Sequence, residues 1–159
     1  MNLSETYDLL DCTFYDKGTN TDYNSNWSNY NSNITVERND EYTTLTPGVN
    51  NNQNRFVISS SYIPSQPFVV EFNKYGTNVS GAMILIGSRA ITFSSIWNGA
   101  LASATHIKFT VEDDTISVEH DGITESSTLS ITSLSDIQFR FSDLSSGTIK
   151  YSDFKIYPI

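Results

Sequence analysis

The chain has a single cysteine, four prolines, two methionines and two histidines in 159 residues, and only nine lysines and arginines against eighteen aspartates and glutamates. Each shortage excludes something. Cys12 alone cannot close an internal disulfide, so the fold must rest on packing, for which this length suffices in a single domain spanning 1–159. Residues 1–10 read as a candidate linker from a longer chain. The formal charge of -9 and the scatter of basic residues from Lys17 to Lys155 leave no cluster that could displace counterions from nucleic acid or dock on an anionic membrane. No apolar run reaches the roughly eighteen residues that a membrane-spanning helix needs, and the first residues lack the basic start and apolar core of a signal peptide.

Catalytic motifs are equally scarce. The sequence contains no Gly-x-Ser-x-Gly elbow, no phosphate-cradling glycine loop, no His-Glu-x-x-His and no cysteine pair for zinc. His106 and His120 are expected on the polar parity of neighbouring strands, exposed and without a metal. Glu71, in Phe68-Val-Val-Glu-Phe-Asn73, is the one acid inside a strong central strand. A glycosidase needs a second carboxylate facing the same cleft. The positions two and four residues along hold Asn73 and Tyr75, so Glu71 reads as an outward strand residue and hydrolysis is not expected.

What is abundant is strand-forming sequence. In His106-Ile-Lys-Phe-Thr-Val-Glu112 the residues Ile107, Phe109 and Val111 alternate strictly with polar neighbours, the period of a half-buried strand. Asp113-Asp114 and Asp121-Gly122 then suit tight hairpin turns, so 106–112, 115–120 and 123–129 form three consecutive antiparallel strands. Further strands are expected over 12–15, 34–38, 42–46, 55–60, 68–72, 83–86, 91–97, 137–141 and 148–157. About twelve short strands with regular turns predict an all-β, antiparallel two-sheet β-sandwich. Ala82-Met-Ile-Leu-Ile-Gly87 is apolar on both parities, which predicts a central strand covered on both sides. In the last strand Ile149 and Tyr151 share one parity while Phe154 and Ile156 share the other, which predicts a bulge near Ser152-Asp153.

The loops pair aromatic rings with asparagine. Asn20-Thr-Asp-Tyr-Asn-Ser-Asn-Trp-Ser-Asn-Tyr-Asn-Ser-Asn33 carries Tyr23, Trp27 and Tyr30; Tyr62 follows a serine run; Tyr75 precedes Asn78; Trp97-Asn98 ends a strand. Tyr and Trp offer an apolar plate with a polar tip and Asn offers a donor and an acceptor, the combination that a sugar ring with its hydroxyl rim calls for. The candidate ligand-binding residues are therefore Tyr23, Trp27, Tyr30, Tyr62, Tyr75, Asn78, Trp97 and Asn98. A core role competes with binding for both tryptophans: Trp97 shares parity with Ile91 and Phe93, and Trp27 would plug one end of the sandwich. Asp11, Asp16, Asp22 and Asp153 lie near the chain ends, and a structural Ca2+ at Asp153 is the one metal expectation, with no cofactor required.

The run 107–122 and the closing Tyr151-Ser-Asp-Phe-Lys-Ile-Tyr-Pro158, with the opening Asp11-Cys-Thr-Phe-Tyr-Asp16 and Asn26-Trp27, resemble the concanavalin A-like lectin and glucanase jelly rolls. The resemblance implies a last strand pairing with the first. The glucanase branch's motif of alternating acids is absent, so it implies binding rather than cleavage. The Asn/Tyr/Ser/Thr-rich texture is similar to modules of viral tail, receptor-binding and archaeal adhesin-like proteins. The leading expectation is a non-catalytic carbohydrate-binding or surface-attachment module, extracellular or on a cell surface or virion, whose partner is a glycan or cell-surface polysaccharide. The alternative is a decoration or oligomerisation domain attached to a larger particle, and a glycoside hydrolase comes third.

Overall fold

A computed structural model describes residues 11–48 and 54–159. The candidate linker 1–10 and most of the expected 47–54 loop lie outside the described residues. Among those described, fourteen antiparallel strands sort into two sheets. The larger holds β1 (Phe14–Asp16), β3 (Thr35–Arg38), β4 (Thr43–Thr46), β6 (Phe68–Tyr75), β9 (His106–Glu112), β10 (Thr115–His120), β11 (Ile123–Thr124), β12 (Leu129–Ser130) and β14 (Ile149–Pro158). Its order is β11-β10-β9-β6-β14-β4-β3, with β1 added to β14 and β12 to β10. The smaller sheet runs β2 (Ser28–Asn29), β5 (Arg55–Ser59), β13 (Asp136–Phe141), β7 (Ala82–Ile86) and β8 (Arg89–Thr92), in that order. One short helix, α1 (Ala100–Ser103), interrupts the strands among these residues.

Alternation decides which side chains meet. Phe68, Val70 and Phe72 of β6, Ile107 and Phe109 of β9, and Phe154 and Ile156 of β14 share one buried cluster with Phe56, Ile58, Ile84, Ile137 and Phe139 of the smaller sheet. The apolar parities of the two sheets thus face each other, and the polar parities form two outer faces. Both predicted hairpin turns are present. Asp113 and Asp114 have φ of 51° and 58°, and Asp121 and Gly122 have 49° and 81°, two consecutive left-handed residues in each two-residue turn. The first and last strands pair, with Phe14 opposite Ile156. The β14 register shifts between Ser152 and Lys155, where the bulge was expected.

Several expectations need correction. The third hairpin strand is split into β11 and β12, both on β10, with Glu125 in the gap. His120 lies on the apolar parity with Ile116 and Val118; it is buried and its Nε2 meets Glu125 Oε1 at 2.6 Å. The 91–97 strand ends at Thr92, and Ile96–Gly99 forms a 3-10 turn in which Trp97 and Asn98 both take left-handed angles. β6 continues to Tyr75, beyond the expected end at Phe72, because Asn73 and Tyr75 keep its polar parity while Lys74 points inward. β7 is flanked by β13 and β8, yet Met83 and Leu85 are only half-buried, so its second face is not covered as expected.

Trp27 explains the long Asn-rich loop. Its indole is 8% exposed, stacked at 4.5 Å on Phe56 and at 5.6 Å on Phe139, with the edge of Phe154 against it. Burial would leave the indole N–H without a partner, and Asp16, on the inner parity of β1, supplies one at 2.7 Å. The same carboxylate accepts the Tyr151 hydroxyl at 2.7 Å and the backbone N–H groups of Gly18 and Asn24. Four donors around one buried carboxylate satisfy its charge and tie the 17–33 loop to both sheets. Burial, with the neighbouring Asp16 charge, raises the Tyr151 hydroxyl well above the ordinary phenol range, so it remains a donor.

Candidate functional site

The outer face of the larger sheet is where the chain gathers polar and aromatic side chains. β6 contributes Glu71, Asn73 and Tyr75; opposite Glu71 stand Lys108 of β9 and Lys155 of β14, and opposite Asn73 stand His106 and Ser152. Glu71 accepts the Tyr157 hydroxyl at 2.7 Å on one oxygen and faces His106 Nε2 at 2.9 Å on the other. Two residues along the strand, the Asn73 amide donates to Asp153 at 3.1 Å. Asp153 also accepts the Tyr15 hydroxyl at 2.9 Å, and Ser152 Oγ lies 2.9 Å from the Tyr75 hydroxyl. Tyr42 stacks on Tyr75 with centroids 4.7 Å apart, and the Lys150 ammonium lies above Tyr42.

The bulge builds this network. Tyr151 and Asp153 share a parity, so a regular strand would send Asp153 toward the core as it sends Tyr151. Instead Asp153 adopts φ 50° and joins Ser152 on the outer side, while Phe154 returns to the core. Tyr15 is half-buried beside it, and burial together with the Asp153 hydrogen bond pushes its hydroxyl up, so it too is held as a neutral donor.

Two depressions open beside the network. One of about 490 Å3 is lined by Asn73, Tyr75, Gly76, Thr77, Thr105 and His106 among others; one of about 240 Å3 is lined by Asp11, Glu71, Lys155, Tyr157 and Pro158. The floor of the first is pinned from below. Lys74, 2% exposed, donates from Nζ to the carbonyls of Gly76 at 2.6 Å and Ala102 at 2.7 Å, and its burial lowers its pKa to about 8. Asp121 pins the rim: its carboxylate accepts the Thr105 hydroxyl and the N–H groups of Thr105 and His106, which together hold it below the usual carboxylate range.

The residues named from sequence are dispersed over the molecule. Tyr75 belongs to the network. Tyr23, 50% exposed, carries the Arg38 guanidinium over its ring at 4.0 Å, and Tyr30, 44% exposed, lies beside Arg55. Trp27 is 8% exposed, with Phe56 and Phe139 stacked on it and Phe14 and Phe154 set at steep angles to it, so it belongs to the core. Tyr62 packs edge-on against Phe14; Trp97 is half-buried against the core with its N–H donated to Ser127. Asn78 and Asn98 are exposed loop residues.

Strand parity placed Asn73 and Tyr75 on the face of Glu71, but sequence reasoning missed Tyr15, Tyr42, His106, Ser152 and Tyr157 as members of it, although parity carried the signal for most of them. It also sought an acid partner for Glu71 only along β6, whereas the second carboxylate of this face, Asp153, arrives from the neighbouring strand. Asp16 and Asp153 point to opposite sides of the sheet, so the four aspartates near the chain ends do not converge, and no group of three potential metal ligands occurs among the described residues. The chain matches no protein-family model, and no curated protein or solved structure is significantly similar to it.

Proposed function

We propose that the chain is a non-catalytic glycan-binding attachment module of the concanavalin A-like, jelly-roll kind, displayed on a cell surface or virion, with the saccharide lying across the outer face of the larger sheet. The observation that carries this reading is the network from Tyr75 through Ser152, Asn73 and Asp153 to Tyr15, with Glu71, Tyr157 and His106 beside it. Half-buried phenol rings supply plates for the apolar faces of sugar rings, and fixed carboxylate, amide and imidazole groups can read hydroxyls without reordering long side chains. The two flanking depressions would extend a bound chain beyond one sugar.

Two carboxylates share this face, which raises cleavage as a rival. A general acid must carry a proton on one oxygen, whereas Asp153 accepts protein donors on both oxygens, and Glu71 accepts the Tyr157 hydroxyl on one oxygen and lies 2.9 Å from His106 Nε2 on the other. Such carboxylates serve as acceptors. The deciding experiment is a glycan array with whole-cell binding, followed by the Tyr75→Ala/Tyr157→Ala double variant. Micromolar-to-millimolar binding that falls about tenfold or more in the double variant is expected. Silence on both the array and cells would overturn the reading, and release of reducing sugar that disappears in Glu71→Gln would replace it with hydrolysis.

A further inference from the structure

The outer face of the smaller sheet differs in kind from that of the larger. Its strands hold one acid, Asp136, whereas those of the larger sheet hold Asp16, Glu37, Glu71, Glu112, Glu119 and Asp153. Two copies of a chain with a formal charge of -9 repel each other wherever acids face acids, and least across this face. Its side chains also suit a contact between proteins. Val57, Arg140, Met83 and Leu85 lie on the outer parity, the last two half-buried on an uncovered face, while the larger sheet's outer face carries Lys108 and Lys155. Arginine and methionine are enriched at interfaces and lysine is depleted.

The charges of β13 make this face complementary to itself. Asp136 and Arg140 stand on the outer parity about 13 Å apart along one strand, with the buried Gln138 midway. Gln138 donates to one oxygen of Asp136; among the described residues the other oxygen accepts no hydrogen bond and Arg140 enters no ion pair. Arg55, directly opposite Arg140, is already engaged, in part by the Tyr30 ring. Consider two such faces related by a two-fold axis that runs between them and crosses β13 at Gln138. Arg140 of each copy then lies over Asp136 of the other, Arg55 over Ser59, and Leu85 and Val57 over their own counterparts, because Ser59 is level with Asp136 and Val57 and Leu85 are level with Gln138. No charge meets its like in this arrangement. An axis along β13 would set Asp136 on Asp136 and Arg140 on Arg140.

We propose that the chain forms a two-fold homodimer through the outer faces of its smaller sheets, joined by two reciprocal Arg140–Asp136 ion pairs about an apolar centre of Leu85 and Val57. The larger sheets then face outward on opposite sides, whatever they bind. Five strands about 4.8 Å apart span roughly 24 Å, a small patch for a dimer, so the association is in the micromolar range or weaker. Sedimentation velocity of the full chain from about 1 μM to 1 mM tests it. A mass that rises from monomer to dimer, less steeply at high salt, is expected. Arg140→Asp and Asp136→Arg should each weaken self-association about tenfold or more, because each sets like charges face to face. Mixed in equal amounts, the two variants should associate with each other, since each supplies the sign that the other lacks, and misfolded protein could not produce that rescue. Tyr75→Ala, on the larger sheet, should dimerise like the parent. The proposal is overturned by a monomer at every concentration, which would leave the face to another partner, by single variants that dimerise as the parent does, by a mixture that stays monomeric, or by loss of the dimer in Tyr75→Ala.

Discussion

Two tyrosine–aspartate pairs lie back to back across the larger sheet, built from nearly the same residues. Inside, Tyr151 donates to Asp16 at 2.7 Å; outside, Tyr15 donates to Asp153 at 2.9 Å. Tyr15 and Asp16 are consecutive in β1, so they point to opposite faces by ordinary alternation, while Tyr151 and Asp153 are parted only by the bulge. The inner carboxylate also holds Trp27 and two backbone amides and has no access to solvent. The outer one sits in a half-exposed network that a ligand can reach. Identical chemistry is structural or available according to the side of one strand on which it falls.

The largest effects should separate the two pairs. Trp27→Ala should cost about 3–5 kcal/mol, the range for deleting a large buried aromatic. Asp16→Ala should cost at least about 3 kcal/mol, because it strands buried donors at about 1–3 kcal/mol each. Urea unfolding measures both, and a comparable loss on Asp153→Ala would erase the distinction between the two pairs.

Alkali should separate them next. A tyrosine whose hydroxyl is raised in the fold keeps its proton above pH 10 while the unfolded chain loses it, so stability is intact below pH 10 and falls as pH rises beyond. The fully buried Tyr151 should dominate that fall: Tyr151→Phe should flatten the limb of unfolding free energy between about pH 10 and 11.5 more than Tyr15→Phe does.

Lys74 has the opposite sign. Its folded pKa of about 8 lies below the ordinary value of 10.5, so between those values the unfolded chain binds more protons and stability rises with pH. The neutral amine keeps two N–H groups for the two carbonyls that it serves. Unfolding free energy should therefore increase from pH 8 toward 10, and Lys74→Met should abolish the increase. The smallest effect is expected at the bulge: Asp153→Gly should change stability by less than about 1 kcal/mol in thermal unfolding, since relief of a left-handed non-glycine angle offsets the lost hydrogen bonds. The same variant should weaken the glycan binding proposed for the outer face of the larger sheet.

Legibility in the sequence followed the range of the interaction. β9, β10, their turns and the phase change in β14 were readable because alternation and turn chemistry are properties of a few adjacent residues. The end of the Ile91 strand was not, since Trp97 is placed by the pocket that receives it and by Ser127, thirty positions away. The second carboxylate on the face of Glu71, Asp153, was missed for the same reason: β6 and β14 are neighbours in space and far apart in the chain.

From the order of residues alone came two facing sheets, their hairpins, the bulge and the impossibility of an internal disulfide, because each depends on local dihedral preference or on composition. Folding alone decided that Trp27 is sealed while Tyr23 and Tyr30 are exposed, that His120 points inward, and that Tyr15, Asn73, Asp153 and Tyr157 share a surface. Cross-strand register and the competition for buried volume assign those places, and both depend on contacts between residues that no local pattern connects.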